Sequence, residues 1–291
     1  MNKNNTKSML LLLKQFGFTD NTLSKIYENE DSILDVIFNP NYPFHNKYID
    51  IYTKKEKEIS KDINSLIEFH ENFIKKMKEY KQKGIKIFCK YSDDYPEYLF
   101  NEENKPLFLY CYGNLALLKR EYQKVAIIGT RKATDQGIIK TKKYVKGYVT
   151  NNWITISGLA KGIDTVVHKE TIVNNGKTIA IIPTSFEKIY PTENTELFNE
   201  IVTNDGLIIS MIGPYENTYK SNFLERNSIV AKISDEILVI EASVKSGTLN
   251  TVRKAYQFNK KIYYDSSLLS KDVIEYIKKY DAIDIYNKGE E

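Results

Sequence analysis

The segment KVAIIGTR at residues 124–131 decides the fold, because it is a short apolar run that ends at a glycine and a basic loop. A second apolar run leads into SGLAKGID at 157–164, and a helix-like stretch at 134–151 separates the two. Short apolar runs that alternate with helices are typical of buried parallel strands. With right-handed crossovers they predict an α/β fold with a doubly wound, mostly parallel sheet. Strands are predicted at 85–89, 107–111, 124–129, 153–157, 177–183, 207–211, 236–240 and 261–264, and helices at 134–151, 163–174, 194–203, 222–233, 248–258 and 271–279.

The residues before the sheet predict a small helical domain. Apolar stripes occur at 7–16, 21–27 and 33–38, and residues 47–83 form a charged stretch with apolar side chains at helical spacing. We expect that last stretch to be one long helix. The predicted organisation is a helical domain at 1–83, an α/β core at 84–270, and a short C-terminal helix with an acidic tail at 271–291.

Composition limits the class of protein. The 291 residues are enough for about two domains, and a hydrophobic content of 42% excludes a disordered chain. The sequence has no apolar run of about 18 residues, so we expect no membrane span and a cytoplasmic protein. Cys89 and Cys111 lie in strand-like runs and outside any CxxC motif, which favours buried free thiols over a disulfide.

The net charge of +4 is informative once it is divided along the chain. Residues 1–118 contain 17 lysines and 17 acidic side chains. Residues 119–271 contain 22 basic and 15 acidic side chains, and residues 272–291 contain 3 basic and 6 acidic side chains. The positive excess therefore lies in the predicted core. The four arginines of the chain are Arg120, Arg131, Arg226 and Arg253.

Two glycine-containing segments resemble nucleotide-binding loops, but one lies in the wrong place relative to its strand and the other lacks the required glycine pattern. Gly176-Lys177-Thr178 precedes a predicted strand, whereas a P-loop follows one. The loop at 129–137 does not match GxGxxG, and the next strand ends without an acid that would hold a ribose. These failures argue against phosphate hydrolysis and NAD binding.

Three other loops follow core strands and combine small residues with positive charge. Carboxyl ends of parallel strands meet at one edge of a sheet, so we expect these loops to lie together near the point where the strand order reverses. Glycines let a ligand approach the backbone, and the loops predict a site for a phosphate or a phosphodiester backbone. Tight strand-to-helix turns are the alternative reason for the glycines. The candidates are Gly129, Arg131 and Lys132, then Ser157, Gly158, Lys161 and Gly162, then Ser246, Gly247 and Thr248.

Two helix starts belong to the same edge. Thr134 is the predicted N-cap of the helix after the first loop, and we expect an anion at that helix N-terminus. Arg226 and Asn227 lie at the start of a later helix, where the arginine could fork onto a phosphate. An ion pair of Arg226 with Glu225 or Glu241 is the alternative.

The titratable residues near these loops form no catalytic or metal-binding set in the sequence. Asp164 and His168 share a helix face, but a metal site needs three or four ligands and no third is nearby. We expect them to satisfy buried backbone groups beside the loop. Glu241, at a strand end, is the best catalytic candidate and a poor one. We therefore expect no enzyme, no metal and no cofactor.

The motifs and their order resemble the DNA-processing protein A (DprA/Smf) family over roughly residues 84–264. The segment ISGLAKGIDTVVH at 156–168 is the most specific part, and the match to the family's SAM-like or helix-hairpin-helix-like N-terminal domain is weak. The expectation is a divergent member without the C-terminal winged-helix extension, with Ser228 where the family has a second arginine. Further matches are Tyr95-Pro96, VAIIGTR at 125–131, KTIAII at 177–182, Tyr190-Pro191 with Asn194, GLIIS at 206–210, Phe223 with Arg226-Asn227, and VIEASVKSGTLNTVRKA at 239–255.

This resemblance implies a Rossmann-like core that binds single-stranded DNA without catalysis. It implies protection of strands during natural transformation, loading of the RecA recombinase on them, and a homodimer through the Rossmann-like domain. Aromatic residues available for stacking on bases are Tyr190, Tyr215, Tyr219 and Phe223. By position, the resemblance assigns the DNA-binding pocket to Gly129, Arg131, Ser157, Gly158, Lys161, Arg226, Asn227, Ser246 and Gly247.

Two other functions stay open. A nucleotide-binding sensor or nucleotide-processing enzyme could use the same fold, although the PGGxGT loop of phosphoribohydrolase-type proteins is missing around Ser246-Gly247-Thr248. An interaction protein with a decayed DNA site would use its helical domain, since the neutral charge balance there suits protein contacts.

Overall fold

In the described part of the chain, nine strands form one sheet at the centre of the protein. The computed structural model describes residues 3–100, 105–244 and 246–286. Most strands are only four or five residues long, and the four neighbouring strands in the middle of the sheet are buried along their length, as expected for strands covered on both faces. The strands are β1 (Lys86–Cys89), β2 (Phe108–Gly113), β3 (Lys124–Ile128), β4 (Ile154–Ser157), β5 (Thr178–Ile182), β6 (Leu207–Ser210), β7 (Glu236–Val239), β8 (Lys261–Tyr264) and β9 (Ile283–Asp284).

The spatial order of the strands is β1-β2-β6-β5-β4-β3-β7-β8-β9. Neighbouring strands from β6 to β9 are parallel, and the β1–β2 and β2–β6 ladders are antiparallel. The chain winds outward from β3 through β4, β5 and β6, and then returns to β7 on the other side of β3. This confirms the predicted doubly wound α/β fold and places the reversal of strand order between β3 and β7.

Helices cover both faces of the sheet. No helix in the described ranges combines the length and the apolar character that a membrane span requires. The helices are α1 (Lys3–Phe16), α2 (Asp20–Asn29), α3 (Ile33–Phe38), α4 (His45–Ile49), α5 (Lys54–Ile59), α6 (Ile63–Gln82), α7 (Asp135–Thr150), α8 (Ile163–Val173), α9 (Thr195–Thr203), α10 (Lys220–Ile233), α11 (Gly247–Gln257) and α12 (Lys271–Lys278).

The side chains of β3 show how the two layers are built. Val125 and Ile127 join a buried cluster with residues of α7 and α8, whereas Ala126 and Ile128 join a second cluster with residues of α10 and α11. The alternation follows from the period of two along a strand. The loops at the carboxyl ends of the strands therefore lie between two helical layers.

The prediction of one long helix at 47–83 is wrong, because two N-caps interrupt it. Thr53 forms a capping box at the start of α5: its hydroxyl accepts from the Glu56 N–H at 3.2 Å, and the Glu56 carboxylate accepts from the Thr53 N–H at 2.7 Å. Asp62 caps α6 by accepting from the Ser65 N–H at 3.1 Å. Apolar periodicity continues across these breaks, which is why it failed to reveal them.

The helical N-terminal part shares an apolar cluster with the first two strands. Tyr80 of α6 packs edge-on against Tyr110 of β2, with ring centroids 6.4 Å apart. At the other end of the chain, Val273 and Ile277 of α12 are fully buried against the core, and β9, which the sequence did not predict, follows. The division into domains at 83 and 270 stays a prediction.

Both cysteines lie in this sheet as buried free thiols, Cys89 in β1 and Cys111 in β2. Burial raises the pKa of each thiol, so both stay protonated and poorly reactive at neutral pH. The prediction of buried free cysteines is confirmed.

Candidate functional site

A cavity of about 320 Å³ opens at the carboxyl ends of β3 and β7, where the strand order reverses. Ligands of doubly wound sheets bind at this position in the fold. The cavity brings together residues from all three predicted loops and from the start of α10. Its wall includes Gly129, Arg131, Gly158, Asp164, Phe223, Leu224, Arg226, Asn227, Ser246, Gly247 and Thr248.

Arg226 is held by backbone carbonyl groups rather than by an acid. Its side chain is buried, and Nη1 donates to the carbonyl oxygen of Gly158 and, at 3.0 Å, to that of Ile181. Nε donates to the Asn227 side-chain oxygen at 3.0 Å. The expected alternative, an ion pair with Glu225 or Glu241, is not found among the described contacts. Burial lowers the pKa of Arg226, which is nevertheless a cation at neutral pH.

Asp164 fixes the loop that Arg226 contacts. Its carboxylate accepts from the N–H groups of Gly158 at 3.1 Å and Ala160 at 3.2 Å. Burial raises the pKa of Asp164, and the nearby Arg226 cation opposes that rise. A side chain at Gly158 would collide with the Arg226 guanidinium, so this glycine is required by close packing. Asp164 and Arg226 together hold the second loop against the sheet.

The N-terminus of α7 already holds an anion, which belongs to the protein. Thr134 is the N-cap, as predicted, and its hydroxyl accepts from the Gly137 N–H at 3.0 Å. The Glu241 carboxylate accepts from the Thr134 N–H at 3.1 Å and from its hydroxyl at 2.6 Å. An internal carboxylate therefore occupies the place where a ligand anion was expected. Glu241 stabilises the start of α7 and is not poised as a catalytic base.

The N-terminus of α11 differs, because no carboxylate covers it in the described part of the chain. Ser246 is the N-cap, its buried Oγ has no hydrogen-bond partner there, and the first turn contains no acid. The Thr248 hydroxyl donates to the Gly129 carbonyl at 3.1 Å, and the Asn227 amide donates to the Gly247 carbonyl at 3.2 Å. Lys245, in the same loop, lies outside the described residues. The Ser246 N–H donates to the Ser243 carbonyl at 2.9 Å, whereas Gly247 and Thr248, the first two residues of α11, line the cavity, and the described part of the chain supplies no internal anion there.

A cationic and aromatic rim borders the cavity. The exposed Arg131 guanidinium lies 5.7 Å from the centroid of the Phe223 ring. Tyr190 packs edge-on against Phe223 at 5.9 Å and is 49% exposed. Two other aromatic candidates lie elsewhere: Tyr215 packs against α6, where its hydroxyl donates to the Asn72 carbonyl at 3.0 Å, and Tyr219 lines a different cavity.

Several predicted residues surround the cavity without lining it. The Ser157 hydroxyl is buried and donates to the Ile127 carbonyl at 2.8 Å. Lys132 is exposed, outside the lining. Lys161 pairs with Glu193 and lines a smaller adjoining cavity.

Gly162 and His168 support the loop from behind. Gly162 has φ +75° and packs against the Thr130 carbonyl, so a side chain is excluded there. His168 is fully buried with Nδ1 at 2.7 Å from the Thr178 hydroxyl, and burial lowers the pKa of its imidazole to about 3. The imidazole is therefore neutral and structural. Ser228 lines the separate cavity next to the helical part and not the switch-point cavity.

Asn194 positions the second loop, and in the sequence it is marked only by the family resemblance. Its amide donates to the Leu159 carbonyl and to the Thr165 hydroxyl, each at 2.9 Å, and so supports the second loop. Within the described residues, no cluster of three histidine, cysteine or carboxylate side chains has the arrangement of a metal site.

The chain is similar in sequence to DNA processing proteins of the DprA and Smf type. The family model described as DNA recombination-mediator protein A matches residues 86–275. DNA processing protein DprA of Streptococcus pneumoniae is 38% identical over 171 residues, which are 59% of each chain. Protein Smf of Synechocystis is 36% identical over 189 residues, 64% of this chain and 47% of that protein. The matches thus span about half of these two relatives.

Two solved structures share the fold. The crystal structure of DNA processing protein A from Streptococcus pneumoniae superposes with a TM-score of 0.68 at 27% identity, covering 97% of this chain and 94% of that one. DNA processing protein A from Helicobacter pylori, studied for its single-stranded DNA binding mode, gives a TM-score of 0.61 at 29% identity. The superposition covers 69% of this chain and 91% of that one. The fold of the Streptococcus pneumoniae protein is therefore shared along almost the whole of the chain.

Proposed function

Because the chain belongs to the DNA recombination-mediator protein A family, we propose that it binds single-stranded DNA in the switch-point cavity without catalysing a reaction. One observation carries the proposal: the uncovered N-terminus of α11 faces the same cavity that Arg131 and Phe223 border. A helix N-terminus and an arginine suit a phosphate, and an aromatic ring at the rim suits a base. The related protein from Helicobacter pylori, studied for its single-stranded DNA binding mode, supports this assignment.

The chemistry around the cavity supports binding rather than catalysis. The Asp164 and Glu241 carboxylates accept from backbone N–H groups, and His168 is neutral and buried behind the loop. The Thr248 hydroxyl donates to the Gly129 carbonyl, and no general base contacts it among the described residues. No described side chain at the cavity therefore forms a nucleophile–base pair of the kind that hydrolytic catalysis needs.

We also propose the biological setting that the family description supports. A recombination mediator delivers strands to a recombinase, so RecA is the proposed protein partner, and natural transformation is the proposed process. A homodimer through the Rossmann-like domain and a cytoplasmic location belong to the same proposal. Sedimentation of the purified chain tests the dimer, and co-purification with RecA in the presence of single-stranded DNA tests the partner.

Fluorescence anisotropy of a labelled oligothymidylate tests the central proposal. Binding should weaken steeply between 50 and 200 mM salt, because contacts to phosphates release counterions. Arg131→Ala should reduce affinity and flatten the salt dependence by about 0.7 in the slope of log K against log salt. Arg120→Ala is the matched control, since Arg120 precedes β3 and lies at the opposite edge of the sheet.

Each outcome of this titration has a clear meaning. Wild-type protein that binds no oligonucleotide, or binds it independently of salt, contradicts the proposal. Mononucleotides serve as competitors, because the cavity volume of about 320 Å³ also lies in the range of small-ligand sites. Full displacement of the strand by one mononucleotide would favour a nucleotide sensor instead.

A further inference from the structure

The outer face of α7 carries a row of lysines beyond the cavity. We call Ile139, Lys142, Lys143 and Lys146 the α7 strip. All four side chains are exposed, and Ile139 is 61% exposed although it is apolar. Within the described parts of the chain, none of the three lysines forms an ion pair or a side-chain hydrogen bond. The strip is therefore an uncompensated cationic surface with an apolar element inside it.

The charge of this helix is one-sided. α7 contains four lysines and a single acid, Asp135, which lies in the first turn. Its remaining lysine, Lys140, pairs with Asp265 at 3.2 Å. By contrast, α6 mixes four lysines with three glutamates. The excess on α7 also accounts for much of the positive charge of the core.

Stabilisation of the helix itself does not explain the strip. Cations favour a helix when they lie in its last turn, next to the free carbonyl groups, and the effect fades beyond that turn. The last turn of α7 contains no basic residue. Buried residues on the opposite face, such as Thr141 and Val145, already hold the helix on the sheet.

The strip continues directly from the proposed binding site. α7 starts at Asp135, four residues after Arg131 at the cavity rim. At a rise of about 1.5 Å per residue, Lys142 and Lys146 lie about 10 and 17 Å along the helix from its start. A stacked strand advances about 3.4 Å per nucleotide, so it would reach the strip about three to five nucleotides beyond the cavity.

We propose that the α7 strip is a second contact surface for single-stranded DNA, along which the strand runs after it leaves the cavity. The inference rests on the proposed function of the cavity. Lys143 and Lys146 follow Ile139 at spacings of four and seven, which places the three side chains on one helix face. The lysines would contact successive phosphates, and Ile139 would offer apolar surface to a sugar or a base.

The test compares oligothymidylates of about 4 and about 16 nucleotides, a range that spans common single-strand site sizes. The variant carries Lys142→Gln, Lys143→Gln and Lys146→Gln together. The matched control carries Lys75→Gln, Lys78→Gln and Lys81→Gln. Those three lysines are exposed on α6, which packs at the far end of the sheet against β1 and β2. Both variants lose the same charge, so a difference between them reports position. Anisotropy titrations are run at several salt concentrations.

We expect the α7 variant to lose affinity for the long oligonucleotide and to keep it for the short one. Three lost phosphate contacts should lower the salt slope by about 2, which makes the loss about 20-fold larger at 50 mM than at 200 mM salt. Equal slopes for variant and wild type on the long strand would overturn the inference. So would equal losses on both strand lengths, or an equal loss in the α6 control.

Failure of the inference is distinguishable from failure of the proposed function. If the α7 variant behaves as wild type while Arg131→Ala still weakens both oligonucleotides, the cavity binds the strand and the strip does not. If wild-type protein binds neither oligonucleotide, both the proposed function and the role proposed for the α7 strip are contradicted. Circular dichroism of each variant confirms that α7 and α6 stay folded.

Discussion

Replacing Arg226 with methionine removes the group that organises the floor of the cavity. The buried guanidinium donates to the Gly158 and Ile181 carbonyl groups and offsets the negative charge of buried Asp164. Methionine preserves an unbranched apolar chain but supplies neither donors nor charge. Arg226→Met therefore leaves a buried carboxylate without its cation and removes the guanidinium donor from two buried carbonyl groups.

The expected cost follows from these contacts. Removing one partner of a buried charge arrangement costs about 3–5 kcal/mol, and lost hydrogen bonds from a charged donor are worth about 1.5–3 kcal/mol each within that total. Urea denaturation should show a loss of about 4 kcal/mol in the free energy of unfolding. The control is Arg253→Met, because Arg253 is exposed and donates to the Asn250 side chain at 2.9 Å. It should cost about 0.5 kcal/mol or less.

The pH dependence of Arg226→Met adds a second readout. Burial raises the pKa of Asp164 in the native state, and loss of the arginine raises it further. A carboxyl group whose native pKa lies above its unfolded value lowers stability when ionised, and this deficit disappears as the pH falls through the native pKa. The difference in the free energy of unfolding between the variant and the wild type should therefore become smaller as the pH falls. A difference in the free energy of unfolding below about 1 kcal/mol at neutral pH, or one that stays constant with pH, would contradict the role assigned to Arg226.

Three further variants test other parts of the account. Phe223→Ala should weaken single-stranded DNA binding by about 1–3 kcal/mol in anisotropy titrations, whereas Tyr256→Ala, an exposed aromatic residue on α11, should leave it unchanged. Glu241→Gln removes the charge at the start of α7 and should cost about 1 kcal/mol in urea denaturation, and an unchanged free energy of unfolding would contradict its capping role. The native pKa of His168 near 3 lies below its unfolded value, so stability should fall as the pH drops below about 6.5, by up to about 1.4 kcal/mol per pH unit. His168→Gln should show a shallower fall, and an identical fall would contradict the assignment.

Local patterns in the sequence were enough to predict the strands β1 to β8 and the edge that carries the cavity. Apolar runs marked β3 to β8, and glycine-rich loops marked the residues that meet between β3 and β7. Contacts between distant segments were beyond such patterns. Glu241 reaches Thr134 across 107 residues, and this contact decides that α11 rather than α7 presents an open N-terminus.

The role of Arg226 shows the same limit in a different way. Its residue type suggested a bidentate contact to phosphate or an acidic partner. The guanidinium is instead held by one main-chain carbonyl group of the loop after β4 and one of β5. Carbonyl groups carry no signal in the sequence, so only the packing of α10 against the sheet reveals them. The short helix α5 was missed for a related reason, since its start depends on the capping box of Thr53 and Glu56.

Photo-crosslinking with an oligonucleotide that contains 5-iodouracil tests most directly where the strand binds. Iodouracil crosslinks efficiently to aromatic side chains in contact with the base, and mass spectrometry identifies the attached peptide. The account predicts crosslinks to peptides containing Phe223 or Tyr190, lost when excess unlabelled single-stranded DNA competes. Crosslinks confined to the helical residues before β1, with none at the switch-point cavity, would contradict it.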